Sequence, residues 1–178
     1  LIIYILALSA FSIKADGVNL TCAPYQSVCV NCPEYQTLFP IQKFSNDFTS
    51  IEVEADQSEI SQNNEYLLSG NVKLKSGDYL LSADEVEFSG SEQTTIAEGN
   101  IEYQDTEYLI AGDNIIAKKE NDQITATINN ARYQEIKNNA NGLAESISKE
   151  GDIVVFNNAT YSYCPINQKD WYVDARRI

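Results

Sequence analysis

Short runs of alternating apolar and polar residues fill the chain from Ile51 onward. Alternation at a period of two places one face of a strand against a core and the other face in water. Turn signals separate the runs at intervals of roughly ten residues, which predicts an all-β fold. The runs are residues 51–55, 72–75, 101–103, 124–128, 153–155 and 159–163, and the turn signals are Gly77-Asp78, Asn121-Asp122, Asn141-Gly142 and Gly151-Asp152.

An internal repeat underlies this spacing. Residues 69–86 superpose on residues 98–115 at a constant shift of 29 without a gap, and weaker echoes occur at a shift of 28. Each unit reads as a strand, a turn, a second strand, a small residue and an acid, as in Ala83-Asp84. Stacked units of this kind bury a continuous core. The small residue fits a bend or bulge, and we expect the acid to be a solvated turn carboxylate.

One parity of each run is apolar, and the other carries charged and hydroxyl side chains such as Lys73, Glu102 and Ser162. The polar parity is expected to face water. The apolar parity fits either a sealed sandwich core or a groove that is open at one edge and takes an apolar ligand. The residues predicted on this inner face are Val72, Leu74, Leu81, Val86, Phe88, Ile101, Tyr103, Ile110, Ile124, Ile128, Ile153, Val155, Tyr161 and Trp171.

Composition narrows the function classes. The 178 residues carry a net charge of −14, which argues against nucleic acid as a partner because phosphate binding needs a basic face. Hydrophobic residues make up 43% of the chain, enough for a packed core. The chain contains no His, so Ser-His-Asp and Cys-His nucleophile systems are excluded.

The first fifty residues differ from the rest in their pattern of apolar and polar residues. Residues 1–13 form an uncharged apolar run, shorter than the roughly 18 residues of a membrane span, and Lys14-Ala15-Asp16 follow. This pattern predicts a secretory signal peptide over residues 1–15 that lacks its charged start, with a buried strand or helix as the alternative. Residues 16–50 hold three of the four prolines, which predicts a loop-like N-terminal extension.

The four cysteines are Cys22, Cys29, Cys32 and Cys164. Export permits disulfides, which we favour over a zinc site or a redox-active C-x-x-C. A four-thiolate zinc site uses two close pairs, and Cys164 has no close neighbour in sequence. Four cysteines allow three pairings, and the spacing does not choose among them.

The repeat resembles the OstA-like module of the lipopolysaccharide transport (Lpt) proteins over residues 51–178. That module reads G-N-V, a strand, A-D-x-V and then A-x-G-N-V. The C-terminal stretch, with Cys164-Pro165 and Trp171, resembles the junction between module and barrel in the LptD branch of the family. The residues that match the module are Gly70-Asn71-Val72, Ala83-Asp84-Glu85-Val86 and Ala97-Glu98-Gly99-Asn100-Ile101.

The resemblance implies an open, twisted β-jellyroll (a β-taco) of stacked antiparallel strand pairs, preceded by the Cys-rich extension. Its interior would hold lipopolysaccharide acyl chains, received from an LptA-type bridge protein by strand addition. For that docking we expect the edge strand with Ile51, Val53 and Ala55. The resemblance also implies an outer-membrane barrel beyond Ile178 that holds the lipoprotein LptE, with this module on the periplasmic face of the Gram-negative outer membrane.

In that family an early and a late cysteine pair with two cysteines of the barrel. Cys164 matches the late one, and Cys22, Cys29 and Cys32 compete for the early role. The sequence thus predicts a lipopolysaccharide transport and assembly module that is not an enzyme and needs no cofactor or metal. The alternatives are a free-standing LptA-type bridge protein, a zinc-stapled structural module, and a polysaccharide-active β-sandwich with Asp84 and Asp113 as paired carboxylates.

Overall fold

In the part of the chain that the structure describes, ten strands form one antiparallel sheet, in which strands adjacent in sequence are almost always adjacent in space. The computed structural model describes residues 36–44, 51–61, 64–120, 123–151, 153–165 and 171–178. The strands are β1 Glu52–Glu54, β2 Gln57–Ile60, β3 Glu65–Lys75, β4 Leu80–Ser89, β5 Thr94–Gln104, β6 Tyr108–Glu120, β7 Gln123–Glu135, β8 Asn141–Glu150, β9 Ile153–Tyr161 and β10 Val173–Arg177. The sheet order is β1-β3-β4-β5-β6-β7-β8-β9-β10, and β2 pairs with β3 beside β1.

The all-β prediction is confirmed, and within the described ranges no helix occurs. Strands β3 to β9 are 9 to 13 residues long, longer than the alternating runs of the sequence. On β7 and β9 the steps Asn129-Asn130 and Asn157-Asn158 lie inside one strand, where the pairing with the neighbouring strands is interrupted. On β3 and β5 the chain passes through Gly70-Asn71 and Gly99-Asn100 as β-bulges. Gly70 and Gly99 hold φ of 77° and 75° there, in the left-handed region that suits glycine.

The bulges divide the sheet into two halves. We call them leaf A and leaf B. Leaf A comprises residues 72–75, 80–83, 101–104, 108–112, 131–135, 141–144 and 159–161. Leaf B comprises residues 65–69, 85–89, 94–98, 114–120, 123–129, 146–150 and 153–157.

The two leaves fold toward each other. The ring of Tyr108 on β6 lies 5.6 Å from the ring of Phe156 on β9, although these strands are three positions apart in the sheet. In a flat sheet that separation would be roughly 14 Å. Tyr133 of leaf A also contacts Phe156, with ring centroids 4.6 Å apart. The sheet is therefore bent along the line of bulges, and its inner faces enclose one apolar core.

The turns are partly as predicted. Gly77 and Gly151 lie in turns, whereas residues 121, 122 and 152 lie outside the described residues. The prediction of a turn at Asn141-Gly142 is wrong, because these are the first two residues of β8. A side chain at Gly142 would collide with the backbone of Thr160, so this glycine serves close strand packing.

Candidate functional site

Between the leaves, burial of the inner residues is greatest beside the bulges and falls toward the free ends of the strands. Residues next to the bulges, such as Val86 and Ile101, are 2% and 1% exposed. Residues nearer the free ends, such as Tyr103 and Ala126, pack against the same core but are only partly buried. The interior is therefore a groove with a buried floor and an apolar, partly exposed mouth.

Most of the predicted inner residues lie in this groove. Leu74 and Tyr103 are partly buried against the core, and six others belong to it. Those six are Val72, Leu81, Val86, Ile101, Ile110 and Ile128.

Three of the predicted residues lie elsewhere. Val155 pairs with Ser148, whereas its neighbours Val154 and Phe156 face the core, so Val155 and Ile153 lie on the outer face of β9. The predicted inner face of β9 was wrong by one residue, because four consecutive apolar residues, 153–156, leave the parity of this strand ambiguous. Ile124 has the inner parity but lies at the free end of β7 and is 59% exposed.

Three further aromatic residues lie at the margins. Phe88 is 39% exposed at the mouth of leaf B, where its ring packs against Tyr66. Tyr161 and Trp171 are partly buried, and the ring of Tyr163 joins them at centroid distances of 5.5 and 6.1 Å. These residues extend the apolar surface past the enclosed core.

The inner faces of the two leaves differ chemically. Leaf A presents tyrosines with hydroxyl groups near the mouth, whereas leaf B is mainly aliphatic. Four core residues larger than alanine were not predicted, although Ile115 could have been found from Val86 at the repeat shift of 29. The missed core residues are Ile115, Tyr133, Ile147 and Phe156.

The tyrosine hydroxyls of leaf A are held in their neutral form. Burial, followed by the charge and hydrogen bond of Asp105, raises the pKa of Tyr103 well above its usual value. Burial, with the nearby Tyr108 and Glu135, raises the pKa of Tyr133 to about 12. These hydroxyls therefore stay neutral to a higher pH than a solvent-exposed tyrosine does.

One ion pair bridges the mouth. Nζ of Lys149, on leaf B, lies 3.8 Å from Oδ2 of Asp105, in the turn between β5 and β6 at the free end of leaf A. The Asp105 side chain is only 14% exposed. Its Oδ1 accepts hydrogen bonds of 2.8 Å from the backbone N–H groups of Glu107 and Tyr108, which fixes the turn.

Residues 36–44 form an extended strap on the outer face of leaf A. The backbone N–H of Gln42 donates to Oε1 of Gln104 at 2.9 Å, and Nε2 of Gln104 donates to the carbonyl of Gln42 at 2.7 Å. The N–H of Leu38 donates to Oε1 of Gln134 at 2.7 Å. One row of paired residues along this face is at most 2% exposed, namely Gln104, Leu109, Gln134, Asn141 and Ser162.

The predicted exposure of Ser162 is wrong, because its hydroxyl is enclosed by the chain that follows β9. Ser162 is fully buried, donates to the carbonyl of Trp171 at 2.7 Å and accepts from the N–H of Cys164 at 3.0 Å. Cys164 is also fully buried and is disulfide-bonded. Cys22, Cys29 and Cys32 lie outside the described residues, so the predicted pairings stay predictions.

The acids of the repeat were expected to lie in turns, but Asp84 and Asp113 lie within strands. Asp84 and Asp113 are exposed on the outer face, and each accepts a hydrogen bond from an asparagine of the following strand, at the line between the leaves. Among the described residues, no group of three or more His, Cys, Asp or Glu side chains could hold a metal ion. The described residues also include no helix long and apolar enough to cross a membrane.

The edge at β1 and β2 carries exposed apolar side chains. Ile51 and Val53 are 58% and 51% exposed, and Ile60 on β2 is 71% exposed. Ala55, between the two strands, packs partly buried against the core. Among the described strands, β1 ends the sheet order, so its outer edge pairs with none of them.

The sequence of this chain is similar to those of known proteins. Residues 52–178 match the family model described as LptA/(LptD N-terminal domain) LPS transport protein. The LPS-assembly protein LptD of Xanthomonas oryzae pv. oryzae is 37% identical over 109 residues, which are 61% of this chain and 13% of that relative. LptD of Xylella fastidiosa is 34% identical over 112 residues, 63% of this chain and 14% of that relative.

The chain thus spans about 13% of the length of the curated relatives that it matches. Among solved structures, it is similar to LptH of Pseudomonas aeruginosa, described as the LptA-homologous periplasmic component of the lipopolysaccharide transport device. The TM-score is 0.49 at 17% identity, with 59% of this chain and 80% of that chain covered.

Proposed function

Since this chain belongs to the LptA/(LptD N-terminal domain) family of LPS transport proteins, we propose that its groove carries lipopolysaccharide acyl chains during outer-membrane assembly. The observation that carries this proposal is the continuity of the apolar interior. Core residues occur on every strand from β3, with Val72, to β9, with Phe156. Six strand spacings of about 4.8 Å give a trough on the order of 30 Å long.

The energetics of acyl transfer suit such a trough. Each methylene kept from water contributes about 0.8 kcal/mol, so a chain of a dozen methylenes exposed in water would cost on the order of 10 kcal/mol. An apolar interior removes that cost without strong specific contacts. The half-exposed mouth residues Tyr103 and Phe88 offer the first surface for a chain that inserts between the leaves.

The edge at β1 and β2 is our proposed docking site for an LptA-type bridge protein. Strand addition would pair its free backbone groups at roughly 0.5–1.5 kcal/mol per hydrogen bond and would extend the trough across the junction. The exposed Ile51, Val53 and Ile60 would be covered in the same step. For the whole protein we further propose an outer-membrane barrel, an LptE-type partner within it, and the periplasmic face of the outer membrane as the location of this module.

Site-specific photo-crosslinking in cells tests the lipid groove. A photoreactive phenylalanine analogue at Phe88 or Tyr103, both partly exposed on the inner face, should form adducts with lipopolysaccharide. The matched controls are the residues that precede them on the same strands, Glu87 and Glu102, which are exposed on the outer face. Adducts that are absent inside, or equally frequent outside, would overturn the proposal.

A further inference from the structure

A lysine faces the core side at the mouth of the groove. Lys149 pairs in register with Ala126 on one side and Val154 on the other, and both of these pack against the core. Directly paired residues of an antiparallel sheet point to the same face, so the stem of Lys149 lies along the groove and its ammonium group reaches the mouth. The side chain is 47% exposed.

Asp105, the ionic partner of Lys149, also accepts hydrogen bonds from other groups. Oδ1 of Asp105 holds the β5–β6 turn, and Oδ2 accepts a hydrogen bond of 3.3 Å from the hydroxyl of Tyr103. At 3.8 Å, the ion pair from Lys149 to the same Oδ2 is loose and partly solvated. An incoming anion could therefore take over Lys149 while Asp105 keeps its turn and the Tyr103 bond.

We propose that Lys149 binds a phosphate of the glycolipid headgroup when acyl chains enter the groove. This phosphate replaces Asp105 as the ionic partner of Lys149. This inference rests on the proposed function, because it assumes that acyl chains lie between the leaves. A chain inserted past Ala126 and Val154 leaves its headgroup at the mouth, beside the ammonium group. Breaking the Asp105 pair also removes a bridge between the leaves, so headgroup binding and opening of the mouth are coupled.

Equilibrium binding to two lipids tests the exchange. The probes are a bisphosphorylated, acylated glucosamine disaccharide and its dephosphorylated form with the same acyl chains. Lys149→Gln should lower the preference for the phosphorylated lipid, measured as the ratio of the two Kd values, about tenfold, the loss expected for one charge-assisted contact. Lys149→Arg should retain phosphate discrimination. Asp105→Asn, which keeps the Oδ1 acceptor, should tighten binding of the phosphorylated lipid severalfold.

The matched control is Lys73→Gln, which removes a lysine whose ion pair with Glu54 is also 3.8 Å but lies on the outer face. It should change neither Kd. Competition with inorganic phosphate separates the headgroup from a free anion: free phosphate alone should not displace the lipid. Equal effects of Lys149→Gln on both lipids, or full displacement by phosphate, would overturn the inference. If the unsubstituted chain binds neither lipid, the proposed function itself is wrong.

Discussion

Asn100 donates a hydrogen bond of 2.8 Å from Nδ2 to Oδ2 of Asp84, across the β-bulge that joins leaf A to leaf B. Asn100 has a φ of 47°, a backbone conformation that most residues avoid, and the hydrogen bond from its side chain stabilises the residue there. The same relationship recurs on alternate strands, in the pairs Asn71–Asp56, Asn130–Asp113 and Asn158–Glu145. The line along which the sheet bends is therefore held by four side-chain bonds.

Replacing Asp84 should weaken this line. Asp84→Ala removes the acceptor of Asn100 and should lower the free energy of unfolding by about 1 kcal/mol. Glu87→Ala, which removes an exposed acid from the same strand, is the control and should change stability by less than about 0.5 kcal/mol. Urea unfolding measures both. Equal losses would indicate a general charge effect in place of the hydrogen bond.

Gly99 should be the less replaceable of two glycines with positive φ. Its φ is 75°, and an added Cβ would lie 2.9 Å from Cβ of Asp84, whereas Gly151 has a φ of 57° and open space around it. Both substitutions to Ala strain the backbone by about 1–2 kcal/mol. Gly99→Ala should be destabilising by roughly a further 1 kcal/mol or more, since the aspartate must move. Thermal unfolding of the two variants gives the comparison, and equal melting temperatures would contradict it.

The sequence predicted the strands well where the repeat was clear. The 29-residue shift located Val86 and Ile101 in the core, because period-two alternation and the repeat agree there. It did not predict that each strand continues through its Gly-Asn step, because the same dipeptide marks a hairpin turn or a bulge. Only pairing with the neighbouring strand, as at Ser69 and Val72, decides between them.

The strap could not be predicted from periodicity at all. Gln104 and Gln134 occupy outer positions that alternation assigns to water, yet each is 2% exposed. Their burial depends on residues some 60 to 100 positions earlier, as shown by the separations of 62 and 96 for their hydrogen bonds. A local pattern carries no information about such a contact.

Gln104 should therefore hold the strap. Gln104→Ala leaves the N–H and carbonyl of Gln42 without their partner and should destabilise the strap by about 1–3 kcal/mol. Gln42→Ala is the control, because residue 42 uses only its backbone in these bonds and its own side chain is exposed. Hydrogen exchange and limited proteolysis at residues 36–44 should be faster in the first variant alone. Similar protection in both variants would show that Gln104 does not anchor the strap.

Alkaline pH should destabilise the groove through Tyr133. Burial raises the pKa of this hydroxyl from 10.0 to about 12, so the folded protein holds the proton more tightly than the unfolded chain. The resulting stabilisation is present below pH 10 and is lost as the pH rises from 10 toward 12. Tyr133→Phe should be less stable at neutral pH, because it lacks the 2.7 Å hydrogen bond to the carbonyl of Thr160. Its stability should nevertheless decline less steeply between pH 10 and 12. Urea midpoints measured across this range check the prediction, and an equally steep decline would place the sensitivity in other groups.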